Sequence, residues 1–127
     1  MIRVILADDH TLVRAGIRRI LEAQPGFTVV AEAQNGSETV AALQQRAAET
    51  DVLVLDLNMI GMEGIDLLRY AKDTYPHVKV VILTMHAGRE YVSRALAEGA
   101  DGYLLKDSAV QDLAAALDTV TSGGTFF

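Results

Sequence analysis

The sequence predicts a three-layer α/β/α sandwich on five parallel strands, and three observations carry that expectation. Apolar runs rich in Val, Ile and Leu recur at Ile2 to Ala7, Phe27 to Ala33, Val52 to Leu55, Val78 to Leu83 and Gly102 to Leu105, as strands buried on both faces must be. Segments of helical period separate the runs, and a helical crossover returns the chain to the same end of the sheet, so the strands pair in parallel with right-handed connections. Finally, 127 residues of which 50% are hydrophobic fill one core and leave no room for a second domain.

The elements follow in order. Met1 leads straight into the first run, which reads as a strand and not as a signal peptide. Val13, Ile17, Ile20 and Leu21 then share one helical face, and Pro25-Gly26 stops that helix. Val40, Leu43 and Ala47 repeat the spacing after the second run; Ile65, Leu68 and Ala71 do so less cleanly after the third. Val92, Ala95, Leu96 and Gly99 follow the fourth run, and Val110, Leu113, Ala114, Leu117 and Val120 make the clearest stripe after the fifth. These faces are expected to be core. Beyond Ser122-Gly123-Gly124, the aromatics Phe126 and Phe127 either lead into a longer chain or pack back onto the domain.

A net charge of -6 leaves no basic patch to displace counterions, which argues against direct contact with nucleic acid or an anionic membrane. The runs are too short to span a bilayer. No cysteine is present, so there is neither a disulfide framework nor a thiolate metal site, and a cytoplasmic location is expected. His10, His77 and His86 are too scattered to suggest a zinc cluster.

Chemistry gathers where the runs end. Asp8-Asp9 follow the first run, Asp56 the third, Thr84 the fourth and Lys106 the fifth. In an open parallel sheet these ends share one rim, where ligands bind and strand order reverses. Three carboxylates there repel by about 4 kcal/mol per pair at ~4 Å and an effective dielectric near 20. A proton or a hard, oxygen-seeking cation relieves this, and Mg2+ suits two carboxylates, a backbone carbonyl and several waters. Only the cation also admits a phosphoryl group, with Asp56 as nucleophile, Lys106 as a point charge and Thr84 as a hydrogen-bond donor. Taken singly, each of these residues has an ordinary reading as a helix-terminal acid, a turn residue, a strand former or a solvated lysine. Their joint placement points to the site.

Ala7-Asp8-Asp9-His10, Val54-Leu55-Asp56-Leu57-Asn58-Met59, Leu83-Thr84-Met85-His86 and Gly99-Ala100-Asp101-Gly102-Tyr103-Leu104-Leu105-Lys106-Asp107 resemble the receiver domain of two-component response regulators. They are most similar to its NarL/FixJ branch, whose members commonly carry a LuxR-type helix-turn-helix domain after the receiver. The resemblance covers essentially the whole chain. It implies a flavodoxin-like, doubly wound sheet of order 2-1-3-4-5, with residues 1–122 as the receiver and 123–127 as the start of a linker or the chain end. It implies that Asp56 accepts a phosphoryl group from a sensor histidine kinase in a phosphorelay. Asp8, Asp9, Asp56 and the main-chain carbonyl of Asn58 would hold Mg2+. Thr84 and Lys106 would grip the phosphoryl oxygens, Thr84 and Tyr103 would form the switch, and Asn58 and His86 would tune dephosphorylation.

Two departures stand out: Ile60 occupies a position where receivers usually have proline, and Met85 one where many have a small residue. The resemblance also implies regulation of transcription through a DNA-binding domain outside this chain, with homodimerisation on phosphorylation. Ala115, Ala116 and Asp118 lie off the last apolar stripe and are expected to be available for that contact. The alternatives are a metal-dependent phosphohydrolase with an aspartyl nucleophile, a flavin-binding domain and a degenerate receiver that only binds partners. Asn58 stands where the phosphohydrolase would need a general acid, and Asp8-Asp9 would repel a flavin phosphate. The complete set of acids, hydroxyl and lysine speaks against degeneracy.

Overall fold

Five parallel strands form one sheet of order β2-β1-β3-β4-β5 in the computed structural model, which describes residues 1–57, 64–85 and 89–127. Within them the elements alternate as β1 (Ile2–Ala7), α1 (Thr11–Glu22), β2 (Phe27–Ala33), α2 (Gly36–Arg46), β3 (Val52–Asp56), α3 (Gly64–Thr74), β4 (Lys79–Thr84), α4 (Arg89–Ala97), β5 (Gly102–Leu105) and α5 (Ala109–Thr121). Single 3-10 turns follow α2 and β5, at Ala47–Glu49 and Lys106–Ser108. This is the order expected of a doubly wound receiver. The chain steps outward from β1 to β2 and returns to β3 on the other side, which opens a crevice at the carboxyl ends of β1 and β3.

The sheet is buried on both faces because its side chains alternate. Ile5, Ala7, Leu53, Leu55, Val80 and Ile82 face α2, α3 and α4, where Leu43, Leu67, Leu68 and Ala95 meet them. Val4, Leu6, Val52, Val54, Val81 and Leu83 face α1 and α5, where they meet Ile17, Leu21, Leu113 and Leu117. Each Val, Leu and Ile among them contributes roughly 1.5–3 kcal/mol by leaving water. On β2 the alternation changes phase, since Val4 pairs with Val29 but Ile5 with Ala31, leaving Val30 as an extra residue. Before this bulge Phe27 and Val29 join the α1/α5 core, and after it Ala31 and Ala33 join the opposite one. Glu32 is thereby turned toward α1, where Arg14 and Arg18 bind its carboxylate.

Helix ends follow local chemistry. The Asn35 side chain accepts the Glu38 amide at 2.8 Å while the Glu38 carboxylate accepts the Gln34 amide at 3.1 Å, fixing the start of α2. Gly99, beyond the end of α4, takes φ +93, a conformation that favours glycine over residues with a Cβ. At the start of α3, Gly64 lies so close to Leu57 that a Cβ would stand 2.5 Å from its carbonyl oxygen.

Several expected core positions are corrected by the packing. Val13 and Leu96 are exposed, at 36% and 49%, and Ile20 is only half-buried, because α1 and α4 are each covered along a stripe narrower than their apolar spacing. Gly99 belongs to the turn after α4 and not to its core face. Ala116 is fully buried against the sheet, so it cannot serve the dimer contact expected of it, whereas Ala115 and Asp118 are exposed. An apolar stripe drawn through five residues underestimates how wide a face α5 buries. The side chain of Val110 lies outside the described residues, as do the positions Asn58, Ile60 and His86.

The segment after α5 returns to the sheet. Phe126 forms a parallel bridge with Gly102, the Tyr103 amide donates to the Phe126 carbonyl at 2.8 Å, and the Phe126 amide donates to the Asp101 carbonyl at 3.1 Å. This caps the edge of β5, and Phe126 packs against the α1/α5 core.

At the amino rim, Asp51 ties three strands together. Its carboxylate accepts the Arg3 amide at 2.8 Å and the Arg3 guanidinium at 3.2 Å, while its main chain bonds to Arg3 and Lys79. Burial raises the Asp51 carboxyl, but the Arg3 hydrogen bonds and charge outweigh it and hold the group below its ordinary value. The stabilisation is thus present above the unfolded carboxylate value of about 3.9 and is lost as pH falls through the lower folded value. Asp51→Asn is expected to lower the thermal midpoint at pH 7, with the gap to the parent closing below about pH 4; midpoints measured by circular dichroism across pH check this.

Candidate active site at the carboxyl rim

Strand register assembles the site. Ala7 pairs with Leu55, Asp56 with Leu83 and Thr84 with Leu105, so Asp8, Asp56, Thr84 and Lys106 all reach the same rim. Asp56 and Thr84 are the last paired residues of β3 and β4 rather than the first residues beyond them. That extra step of pairing buries both side chains, leaving Asp56 at 0% exposure. Asp8 is held by its amide, which donates to the Ala33 carbonyl of β2 at 2.9 Å.

Lys106 crosses the rim from β5. Its Nζ lies 2.9 Å from Asp56 Oδ2, 3.2 Å from Asp8 Oδ2 and 2.9 Å from His10 Nδ1, with its side chain 4% exposed. Asp8, Asp9, His10 and Asp56 each bring a ligand atom within 4.8 Å of the others. His10 is the member that sequence reasoning missed: scattered in sequence from the other histidines, it needs no histidine partner here. Thr11 begins α1, and the residue before it turns its ring back over the acids. Arg14, one turn on, was also missed. It donates to the Asp8 carbonyl at 2.6 Å and to Glu32 at 2.9 Å, bracing the acidic loop from beneath.

Tyr103 is buried within the core under α2, α3 and α4. Thr84 is buried at the end of the adjacent strand. Asn58 and His86 belong to the predicted set but lie outside the described residues.

Burial and like charge crowd the acids at this rim. Burial pushes the Asp8 carboxyl up and the Asp56 charge adds to this, with the His10 amide and Lys106 opposing. Asp8 Oδ2 and Asp9 Oδ1 are buried oxygens that accept no hydrogen bond among the described residues. Buried carboxylate oxygens that accept no hydrogen bond, clustered with further carboxylates, fit a hard cation such as Mg2+. An anionic oxygen at Asp56 with an ammonium beside it is equipped to take a phosphoryl group and neutralise its charge.

Residues 4–118 match the family model for the response regulator receiver domain. The chain belongs to this receiver family. It is 41% identical over 123 residues to the response regulator UvrY of Escherichia coli, covering 97% of this chain and 56% of UvrY. It is 37% identical over 125 residues to the transcriptional regulatory protein DegU of Brevibacillus brevis, covering 98% of this chain and 52% of DegU. The crystal structure of a LuxR-family two-component response regulator from an Aurantimonas species superposes with a TM-score of 0.90 at 34% identity, covering 98% of this chain and 88% of that one. The receiver spans about half the length of these two sequence relatives. It is a phosphorylatable signalling switch of the NarL/LuxR branch, and its family generally uses Mg2+ held by acidic residues. No helix among the described residues is long and apolar enough to cross a membrane.

A carboxyl whose folded pKa is raised destabilises the fold when ionised, and the penalty is relieved as pH falls. Without divalent cation, Asp8→Asn is therefore expected to raise the thermal midpoint of the receiver at pH 7 by several degrees while weakening Mg2+ binding. Calorimetry in chelator and in Mg2+ checks both effects.

Proposed function

We propose that Asp56 is the phosphoacceptor, charged by a sensor histidine kinase or a small phosphodonor. Supporting this is its full burial at the end of β3 with the Lys106 ammonium 2.9 Å from Oδ2. Asp56 Oδ attacks phosphorus as the phosphorus–nitrogen bond of a phosphohistidine breaks; the imidazole leaves, and an acyl phosphate remains. Lys106 meets the incoming negative charge, and the Thr84 hydroxyl donates to a second phosphoryl oxygen. Asp8, Asp9, Asp56 and the Asn58 carbonyl would hold Mg2+, which would supply charge neutralisation when bound. Asn58 and His86 set the access of the water that hydrolyses the product.

Next to Lys106, Leu12, Val13, Gly16, Ile17, Ile20 and Ala109 line an apolar hollow of about 230 Å3, with Leu12 89% exposed. A phosphodonor protein approaching the rim finds an apolar surface there. The output is regulation of transcription in the cytoplasm through a DNA-binding domain beyond this chain, with homodimerisation on phosphorylation. In support, DegU carries a transcriptional role in its name and is about twice this length. The phosphohydrolase alternative finds no support beside the family match.

Incubation with acetyl phosphate and Mg2+ is expected to add one phosphoryl mass, removable by hydroxylamine, and Asp56→Asn is expected to abolish it. Equal labelling of parent and variant by intact mass spectrometry would remove Asp56 from its role.

Output requires two arrangements of packed elements. When Thr84 moves toward the phosphoryl oxygen, the space beside Tyr103 changes, and the face made by α4, β5 and α5 is altered with it. Hydrogen exchange with and without beryllofluoride is expected to change within residues 84 to 122. Changes confined to the loops around Asp8 and Asp56 would refute the switch.

A further inference from the structure

The carboxyl rim holds one donor that phosphoryl transfer leaves unused, the ring nitrogen of His10. His10 is the residue before α1, with extended backbone at φ -87 and ψ 102. Its amide donates to Asp8 Oδ1 at 2.8 Å and its carbonyl accepts the Arg14 amide at 2.9 Å. Fixed on both sides, its ring lies over the acids: Nδ1 is 3.2 Å from Asp9 Oδ1, 3.3 Å from Asp8 Oδ1 and 3.9 Å from Asp56 Oδ2.

Lys106 shows what this arrangement accepts. An ammonium only donates, so Lys106 Nζ at 2.9 Å from His10 Nδ1 meets the nitrogen lone pair. The same ammonium touches Asp56 Oδ2 at 2.9 Å and Asp8 Oδ2 at 3.2 Å. It also donates to Asp8 Oδ1 at 3.3 Å, so a positive charge rests among one imidazole nitrogen and the carboxylates of Asp8 and Asp56. Asp8 Oδ2, on a side chain 4% exposed, meets that ammonium as an ion pair without hydrogen-bond geometry, so a cation that binds oxygen more strongly can take the ammonium's place there.

We propose that His10 is a nitrogen ligand of the metal site, giving this receiver a preference for borderline divalent ions such as Co2+, Ni2+ and Zn2+ beyond what its carboxylates provide. The inference rests on the metal-site reading above and adds a donor to it. Mg2+ prefers oxygen and keeps its waters, whereas imidazole suits the later first-row ions. Oxygen ligands alone also rank these ions, so the share due to His10 is read as a difference between variant and parent.

Isothermal titration of the receiver with CoCl2 and, separately, with MgCl2 at one fixed pH tests this, together with the visible spectrum of the Co2+ complex. His10→Gln is expected to weaken Co2+ binding by about tenfold or more, to shift the Co2+ absorption bands, and to change Mg2+ affinity by less than about threefold. His77→Gln is the control and is expected to match the parent, because the His77 ring bonds the Ala47 carbonyl at 2.8 Å in the turn before β4, at the opposite end of the sheet. Unchanged Co2+ affinity and spectrum in His10→Gln would overturn the proposal. An equal loss of both ions would overturn it too, by assigning His10 a purely structural role in the loop. Asp56→Asn separates the two levels: if it weakens both ions while His10→Gln alters neither, only the His10 ligand falls. If it leaves both ions bound as in the parent, the metal-site reading falls and takes this inference with it.

Discussion

A buried anion must be compensated, and the carboxyl rim is organised around that requirement. Asp56 has no exposed surface, and the Lys106 ammonium 2.9 Å away supplies the opposite charge. For the lysine to reach it, β5 must end level with β3, which parallel register through β4 guarantees. The edge of β5 is in turn capped by Phe126, and its first turn onward leads into α5. One ion pair therefore relates the central strand to the far edge of the sheet and to the segment that continues beyond α5.

Charge is distributed unequally between the two ends of the sheet. At the amino rim Asp51 and Arg3 satisfy each other and hold the Asp51 carboxyl low, which stabilises the fold. At the carboxyl rim Asp8 is held high by burial and by Asp56 despite Lys106, which opposes the fold when the group is ionised. The same residue type thus stabilises the fold at one end and opposes it at the other, and the difference lies in the burial of Asp8 beside a second carboxylate, where Asp51 has a guanidinium. Arg14 and Glu32 brace the unfavourable end: the guanidinium binds the Asp8 carbonyl from below and is itself anchored by a carboxylate on β2.

That brace depends on an irregularity. Only because Val30 is an extra residue in β2 does Glu32 face α1 instead of the α2 side. Period-two alternation carries no sign of such a bulge, since Thr28 to Ala33 reads equally well in either phase. The same limit explains the misjudged helix faces: spacing identifies which residues share a side, while burial depends on how much of that side the neighbouring elements cover. Leu96 and Ala116 fell on opposite sides of this distinction, one exposed and one fully buried.

The sequence by itself determined the number of strands, their parallel pairing and the members of the rim. Each of these follows from local patterns: apolar runs of strand length, helical spacing between them, and polar residues at the run ends. Asp8, Asp9, Asp56, Thr84 and Lys106 were legible because parallel topology turns position at a run's end into position in space. Tertiary structure alone decided which side chains share charge. His10 enters the acid cluster through a turn of the chain before α1, Arg14 reaches the Asp8 carbonyl from α1 while anchored by the Glu32 that the bulge in β2 turns toward it, and Phe126 joins the edge of β5 after the whole of α5 has intervened. These contacts join residues by the direction in which backbone and ring point, and direction is fixed by packing against distant elements rather than by residue type or spacing.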